Sequence, residues 1–328
     1  MKFLVTGVAG QLGHDVMNEL AKRGHTGIGS DIAPVYSGIA DGTAVTQMPY
    51  VSMDITDQSS VEKTLLEIHP DAVIHCAAWT AVDLAEDDDK VEKVRAINAT
   101  GTKYIAELCK KSDCKMMYIS TDYVFDGQGT VPWDPDCKDY KPLNVYGQTK
   151  LEGELAVSSL LQKYFIVRIA WVFGKNGKNY IKTMLNLGKN HDTLRIVNDQ
   201  IGTPTYTYDL ARLLVDMVET EKYGYYHATN SELSDKEGAY TREGCRTGYI
   251  SWFDFTKEIF RQAAALGYQD YTPENTKLIP VTTAEYGASK AVRPFNSRLD
   301  KKKLEENGFT PLPDWPDAIR RYLKEIEL

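Results

Sequence analysis

The chain has 328 residues, and 38 Lys plus Arg against 46 Asp plus Glu leave a formal charge of −8. That length makes one large domain or two ordinary ones, and 42% hydrophobic, 10% aromatic and 26% charged residues match a globular chain with a real core, not a disordered or fibrous one. An acidic balance without a basic stripe argues against a nucleic-acid partner, and apolar runs such as Phe3-Leu4-Val5 fall well short of the roughly 20 residues needed to cross a bilayer.

The first strand, Lys2–Thr6, begins too early for a signal peptide ahead of it, so a cytoplasmic protein is expected. Cys76, Cys109, Cys114, Cys137 and Cys245 contain no Cys-x-x-Cys pair, as expected in a reducing compartment, and offer no zinc spacing. No repeat recurs. Helix Gly10–Arg23 follows the first strand, with Leu12, Val16 and Leu20 on one face. Then come strands Thr26–Asp31 and Val51–Met53, helix Ser59–Ile68, strand Ala72–His75, helix Asp89–Lys110, strand Met116–Ser120, helix Val145–Leu161 and strand Phe165–Ile169. Such alternation predicts parallel pairing, with helices on both faces of one twisted sheet.

The predicted class is therefore α/β, a doubly wound, Rossmann-type parallel sheet over residues 1–173, followed by a smaller, irregular α/β lobe over 174–328. Helices Tyr180–Gly188, Tyr208–Glu219, Trp252–Leu266 and Trp315–Ile326 are expected there, with parts of about 200–228 returning to the first domain. Residues 231–249 are polar, lack an apolar period and are expected to form a surface insertion.

Two motifs carry chemistry. Gly7-Val8-Ala9-Gly10-Gln11-Leu12-Gly13 follows the first strand and opens the first helix, where unpaired N–H groups and the helix dipole suit a pyrophosphate. Its spacing is GxxGxxG. Asp31 ends the second strand, 18 residues after Gly13, where a carboxylate accepts from a ribose 2′-OH; this favours NAD over NADP. Asp54 and Ile55, after the third strand, flank the expected adenine position, though Asp54 also suits a helix cap. Tyr146-Gly147-Gln148-Thr149-Lys150 places a phenol and an ammonium one helical turn apart, where the ammonium would lower the phenol's pKa. Thr121 ends the preceding strand, on the sheet edge where ligands of doubly wound folds gather.

Glu86-Asp87-Asp88-Asp89 reads as acidic capping of the helix at 89–110 rather than a metal site, and His75, Trp79, Trp133, Trp252 and Trp315 read as packing residues.

Taken together, TGVAGQLG, HCAAWTAVD, STDYVFDG, PLNVYGQTK, RIAWVFG, DQIGTPT and RPFNSRLD resemble the extended short-chain dehydrogenase/reductases, and among them the dTDP-4-dehydrorhamnose reductase family. The resemblance covers nearly the whole chain apart from 231–249 and implies NAD(P)H-dependent reduction of the C4 ketone of a dTDP-linked 4-keto-6-deoxy sugar. It also implies roles. Gly7, Gly10, Gln11, Leu12 and Gly13 would line the pyrophosphate, Asp31 the adenosine ribose, and Ala77 and Ala78 the passing cofactor. Thr121, Tyr146 and Lys150 would form the catalytic triad, with Tyr146 as proton donor and Lys150 on the nicotinamide ribose. Thr80, Val82, Thr121, Tyr123, Tyr146 and Trp171 would touch the sugar, and Asn179 and Arg293 the nucleotide diphosphate. Some family members bridge subunits through Mg2+ and acidic residues. Asp15 stands at a suitable position without identified co-ligands, so the metal is unassigned and the protein is expected to be a monomer or a homodimer. Two alternatives share the fold: an epimerase or dehydratase of another nucleotide sugar, and a non-catalytic cofactor-binding subunit similar to that of methionine adenosyltransferase.

Overall fold

The computed structural model describes residues 1–232, 248–287 and 289–326. Most of the expected insertion at 231–249, with Cys245, lies outside them. Seven strands form the central sheet: β1 (Lys2–Thr6), β2 (Thr26–Asp31), β3 (Tyr50–Ser52), β4 (Ala72–His75), β5 (Lys115–Thr121), β6 (Tyr164–Ile169) and β7 (Gly224–His227). Their order is β7-β6-β5-β4-β1-β2-β3, and every pairing is parallel. Chain order reverses between β1 and β4, which opens a crevice at their carboxyl ends. Phe3, Leu4 and Val5 are all fully buried because both faces are covered, which is why this strand reads as an unbroken apolar run.

Helices α1 (Gln11–Lys22) and α2 (Gln58–Ile68) follow β1 and β3. α1 buries Leu12, Val16 and Leu20 as the spacing predicts, but His14, Asp15 and Met17 are buried too. A later helix covers that second face. Between β4 and β5 the expected single helix is α3 (Val91–Arg95), a wide π-turn over Ala96–Gly101, then α4 (Thr102–Ser112). Such π-turns are rare inside helices and recur at functional sites.

Helix α5 (Val145–Leu160) crosses β5 closely. A Cβ at Gly147 would lie 2.3 Å from the Tyr123 carbonyl oxygen, and one at Gly153 2.3 Å from the Tyr118 hydroxyl oxygen, so two glycines let the helix settle on the strand. Its N-terminus is fixed by Asn144, whose side chain accepts from Gly147 N–H at 2.8 Å, and by Glu86 Oε1, which accepts from Val145 N–H at 2.8 Å. The acidic run therefore caps α5, not the helix it precedes: Asp87 pairs with Lys290, and Asp89 with Lys90.

Beyond β6, helix α6 (Tyr180–Asn190) opens the second core, α7 (Thr207–Val218) returns to pack on α1, and α8 (Trp252–Ala265) packs against the last described helix, Trp315–Glu325. Phe173, Ile181, Phe255, Ile259, Trp315 and Tyr322 fill this second core. The region also holds strands that the periodicity did not show: Thr193–Val197 pairs with Lys277–Val281, and Ile201–Gly202 lies between Ile250–Ser251 and Asn296–Ser297. They are two to five residues long, too short to display an alternation.

Candidate active site

The glycine loop forms a cradle at the sheet's carboxyl edge. Gly7 has φ +71°, and a Cβ there would lie 2.7 Å from the Ala77 backbone nitrogen; one at Gly13 would lie 2.3 Å from the Gly7 carbonyl oxygen. Gly10 has an ordinary φ of −84° and caps α1. Asp31 clamps the loop: its Oδ2 accepts from Ala9 N–H at 3.1 Å and its Oδ1 from Ile32 N–H at 2.8 Å. A cleft of about 480 Å³ opens beside it, lined by Gly7, Gly10, Asp31, Asp54, Ile55, Ala77 and Ala78 with Lys93 on its rim. That size and these open backbone approaches suit part of a dinucleotide.

Other predicted cofactor residues sit close by in different capacities. Leu12 is buried in the first core and offers only its backbone. Gln11 Oε1 accepts from Asn179 Nδ2 at 3.1 Å. Asp54 Oδ1 accepts from the N–H and hydroxyl of Thr56, making a local turn, while Asp57 caps α2.

Thr121, at the end of β5, is 4% exposed, and its Oγ1 donates to Asp122 Oδ1 at 3.1 Å while accepting from Tyr123 N–H at 3.3 Å. Tyr146 sits across from it, hydrogen-bonded to Thr121 and edge-on to the Tyr123 ring at 5.5 Å. Burial pushes the Tyr146 phenol up to about 12, with the bond to Thr121 pulling the other way. Lys150 Nζ donates to the Ile119 carbonyl at 2.7 Å and lies 4.1 Å from the centroid of the Tyr118 ring; burial holds it down to about 7. The expected lowering of the phenol by its neighbouring ammonium is thus overturned. Desolvation dominates both groups and leaves Tyr146 a protonated acid.

On the substrate side, Thr80 and Val82 lie on the loop after β4, and the same loop carries Asp83, which pairs with Arg293 through two bonds of 3.0 and 2.7 Å. Arg293 faces Tyr123 from beyond this pair. Trp171 has φ +51°, strained for a bulky side chain, and stacks on Trp252 at 3.8 Å. Asn179 lies apart from the others. Its Oδ1 caps α6 through Lys182 N–H, and its amide donates to Gln11, Gly174 and Tyr322, so it joins the glycine loop to the second core.

Reading the sequence missed Asn98. It is 1% exposed in the π-turn, accepts from Trp79 N–H at 2.8 Å and donates to Thr149 Oγ1 at 3.1 Å, tying the Ala77-Ala78-Trp79 segment to α5. The motif that holds it, Ile97-Asn98-Ala99-Thr100, lies inside an apparently ordinary helix and gives no local signal. Asp15 bonds Thr207 and faces His14, and among the described residues no three His, Cys, Asp or Glu side chains converge on a metal position. His75 is confirmed as a buried packing residue, bonded to Thr6 and Thr102, and burial lowers it to about 3. No described helix is long and apolar enough to cross a membrane.

A parallel sheet of this order, a GxxGxxG turn at the crevice and a Thr, Tyr, Lys cluster at the carboxyl end of β5 define a short-chain dehydrogenase/reductase, an oxidoreductase class. Within it, residues 1–328 match the family model described as "RmlD substrate binding domain", and the chain belongs to that family. It is 34% identical over 326 residues to dTDP-4-dehydrorhamnose reductase of Aggregatibacter actinomycetemcomitans, covering 97% of each chain. It is also 34% identical to spore coat polysaccharide biosynthesis protein SpsK of Bacillus subtilis, over 99% of this chain and 97% of that one. The crystal structure of dTDP-4-dehydrorhamnose reductase from Bacillus anthracis in complex with NADP superposes with a TM-score of 0.81 at 35% identity, over 99% of this chain and 100% of the other.

Proposed function

We propose that the protein reduces the C4 ketone of dTDP-4-dehydro-L-rhamnose to dTDP-L-rhamnose with NADH or NADPH. The observation that carries this reading is the convergence of Thr121, Tyr146 and Lys150 beside a glycine cradle that a single Cβ would fill. A bound reduced nicotinamide would supply the hydride. Gly7, Gly10, Gly13, Ala77 and Ala78 would hold the dinucleotide through backbone approach, and Asp31 would receive the adenosine ribose hydroxyls. Asp31 supports NADH, while the B. anthracis relative was crystallised with NADP.

Reduction places negative charge on the ketone oxygen, which needs a proton and a second donor. Burial keeps the Tyr146 phenol protonated, so it donates that proton; Thr121 holds the carbonyl in place. Lys150, its Nζ held by the Ile119 carbonyl, would orient a bound nicotinamide ribose. Thr80, Val82, Tyr123 and Trp171 would surround the sugar, and Arg293 would meet the diphosphate by leaving or sharing its pair with Asp83.

The test mixes purified protein, NADH or NADPH and the dTDP-keto-sugar. Stoichiometric loss of reduced-nicotinamide absorbance with formation of dTDP-L-rhamnose is expected. No consumption, or turnover that regenerates the cofactor within each cycle, would sink the reductase reading.

A further inference from the structure

Two thiols that the reaction leaves unused meet at the amino end of β5, with Thr121 at the other end of the strand. Helix α4 is followed by a left-handed residue, Asp113 at φ +54°, and the N–H groups of Asp113 and Cys114 both donate to the Cys109 carbonyl, the second at 3.0 Å. In this closure of a helix the side chains at its two ends face each other, and the contact is commonly apolar. Here both ends are cysteines. Their thiols hydrogen-bond, with Cys109 donating, and both pack in one core with Leu65, Leu108, Met116 and Ile166.

The two are not equally reachable. Cys109 is 0% exposed, whereas Cys114, at 4%, borders a cleft of about 360 Å³ together with Asp71, Asp113, Lys115, Lys163 and Tyr223. Lys163 pairs with Asp113 there, so the cleft offers both signs of charge to an incoming molecule. The bond from Cys109 holds the Cys114 thiol below the ordinary range, against burial and the charges of Asp113 and Asp71, while the same bond and burial raise Cys109. The Cys114 proton rests on the Lys115 carbonyl, 3.6 Å away. An attacking thiol needs access and a thiolate fraction; a resolving thiol needs only its partner's sulfur within reach.

We propose that Cys109 and Cys114 form a dithiol modification site: a small zwitterionic disulfide of the glutathione class enters the cleft, Cys114 attacks it, and Cys109 closes a Cys109–Cys114 disulfide. In the first exchange the Cys114 sulfur, its proton released to water, bonds one sulfur of the small disulfide and expels the other as a thiolate, which takes up a proton. In the second the Cys109 sulfur, its proton likewise released, bonds the Cys114 sulfur and expels the remaining small thiolate. Two protein thiols lose two electrons, and the small disulfide gains them and leaves as two thiols. The bridge would tie the end of α4 to the start of β5. It lies outside the glycine cradle and the Thr121 pocket, so it stands or falls independently of the reductase reading.

Peptide mass spectrometry of the folded full chain, incubated with oxidised glutathione, tests it. Trypsin cuts at Lys110 and Lys111, between the two cysteines, so the bridge appears as two peptides joined by one disulfide, lighter by two hydrogens than the pair of free thiols. The joined pair should form in buffer without denaturant, carry no glutathione, and return to two thiols with dithiothreitol. Cys109→Ala, which lacks the resolving thiol, should hold one glutathione on Cys114. Cys114→Ala should leave Cys109 unmodified, because Cys109 is sealed from the cleft. Absence of the bridge in buffer, a bridge that forms only in urea, glutathione retained on Cys114 of the parent, or an adduct on Cys109 of Cys114→Ala would each overturn the proposal. Should either variant fail to fold, the joined peptides of the parent decide alone.

Discussion

Gly13→Ala tests whether the cradle is built by steric exclusion. The new Cβ would stand 2.3 Å from the Gly7 carbonyl oxygen and 2.8 Å from the Gly7 carbonyl carbon and Val8 Cα, all backbone atoms that no rotamer change can move. Since Cβ contacts below 3.0 Å are essentially never seen, the turn must open by at least about 0.7 Å. That movement strains the Gly10 N–H to Gly7 carbonyl bond of 3.0 Å and displaces the amides that would face the pyrophosphate. Overpacking of this kind costs about 1–3 kcal/mol of stability. Loss of one hydrogen bond to a charged phosphate, about 1.5–3 kcal/mol, weakens dinucleotide binding by roughly 10- to 150-fold. Gly10→Ala is the internal control: its Cβ would meet the same oxygen at 3.1 Å with a permitted φ, so its effect should be several times smaller. Titration of NADH and NADPH against intrinsic fluorescence gives both constants, and urea midpoints separate folding from binding. If Gly13→Ala binds dinucleotide as tightly as the parent, or Gly10→Ala is the more damaging change, the cradle is not set by these contacts.

Tyr146→Phe should lower kcat by about 10²- to 10⁴-fold while leaving the NADH Kd intact; weakened binding with full turnover would contradict the roles assigned. Arg293→Ala should raise the KM for the dTDP-sugar by about tenfold with little change in kcat, and an effect on kcat alone would remove Arg293 from the diphosphate. Arg168 and Glu154 form a fully buried bidentate pair at 2.8 and 2.7 Å, so Glu154→Gln, which strands the guanidinium, should cost about 3–5 kcal/mol in urea unfolding. For Lys150 the sign is as follows: its native pKa, about 7, lies below the unfolded value, so between those limits the unfolded chain binds the extra proton and stability rises with pH. Lys150→Met should flatten the urea midpoint between mildly alkaline buffers by up to about 1.4 kcal/mol per pH unit, and an unchanged slope would place the shift elsewhere.

The parallel sheet was legible because its strands are buried on both faces and its helices are long enough to show an apolar period; β1, β4 and α5 lie within a residue of their predicted limits. Gly7, Gly13 and the Tyr146–Lys150 spacing were legible for a related reason, since each is a local pattern fixed by one turn of backbone. The contacts of Asn98 and of the Asp83–Arg293 pair were not, because each depends on a partner outside its own element. Asn179 shows the converse. The family resemblance made it a candidate for the nucleotide diphosphate, while its three amide bonds fasten the loop to the second core. The sequence alone determined the sheet, the glycine turn and the placing of Tyr146 and Lys150 one turn apart. Only the tertiary structure decided the protonation tendencies of that pair, because a pKa follows from the water excluded by packing and not from the neighbour four residues along the helix.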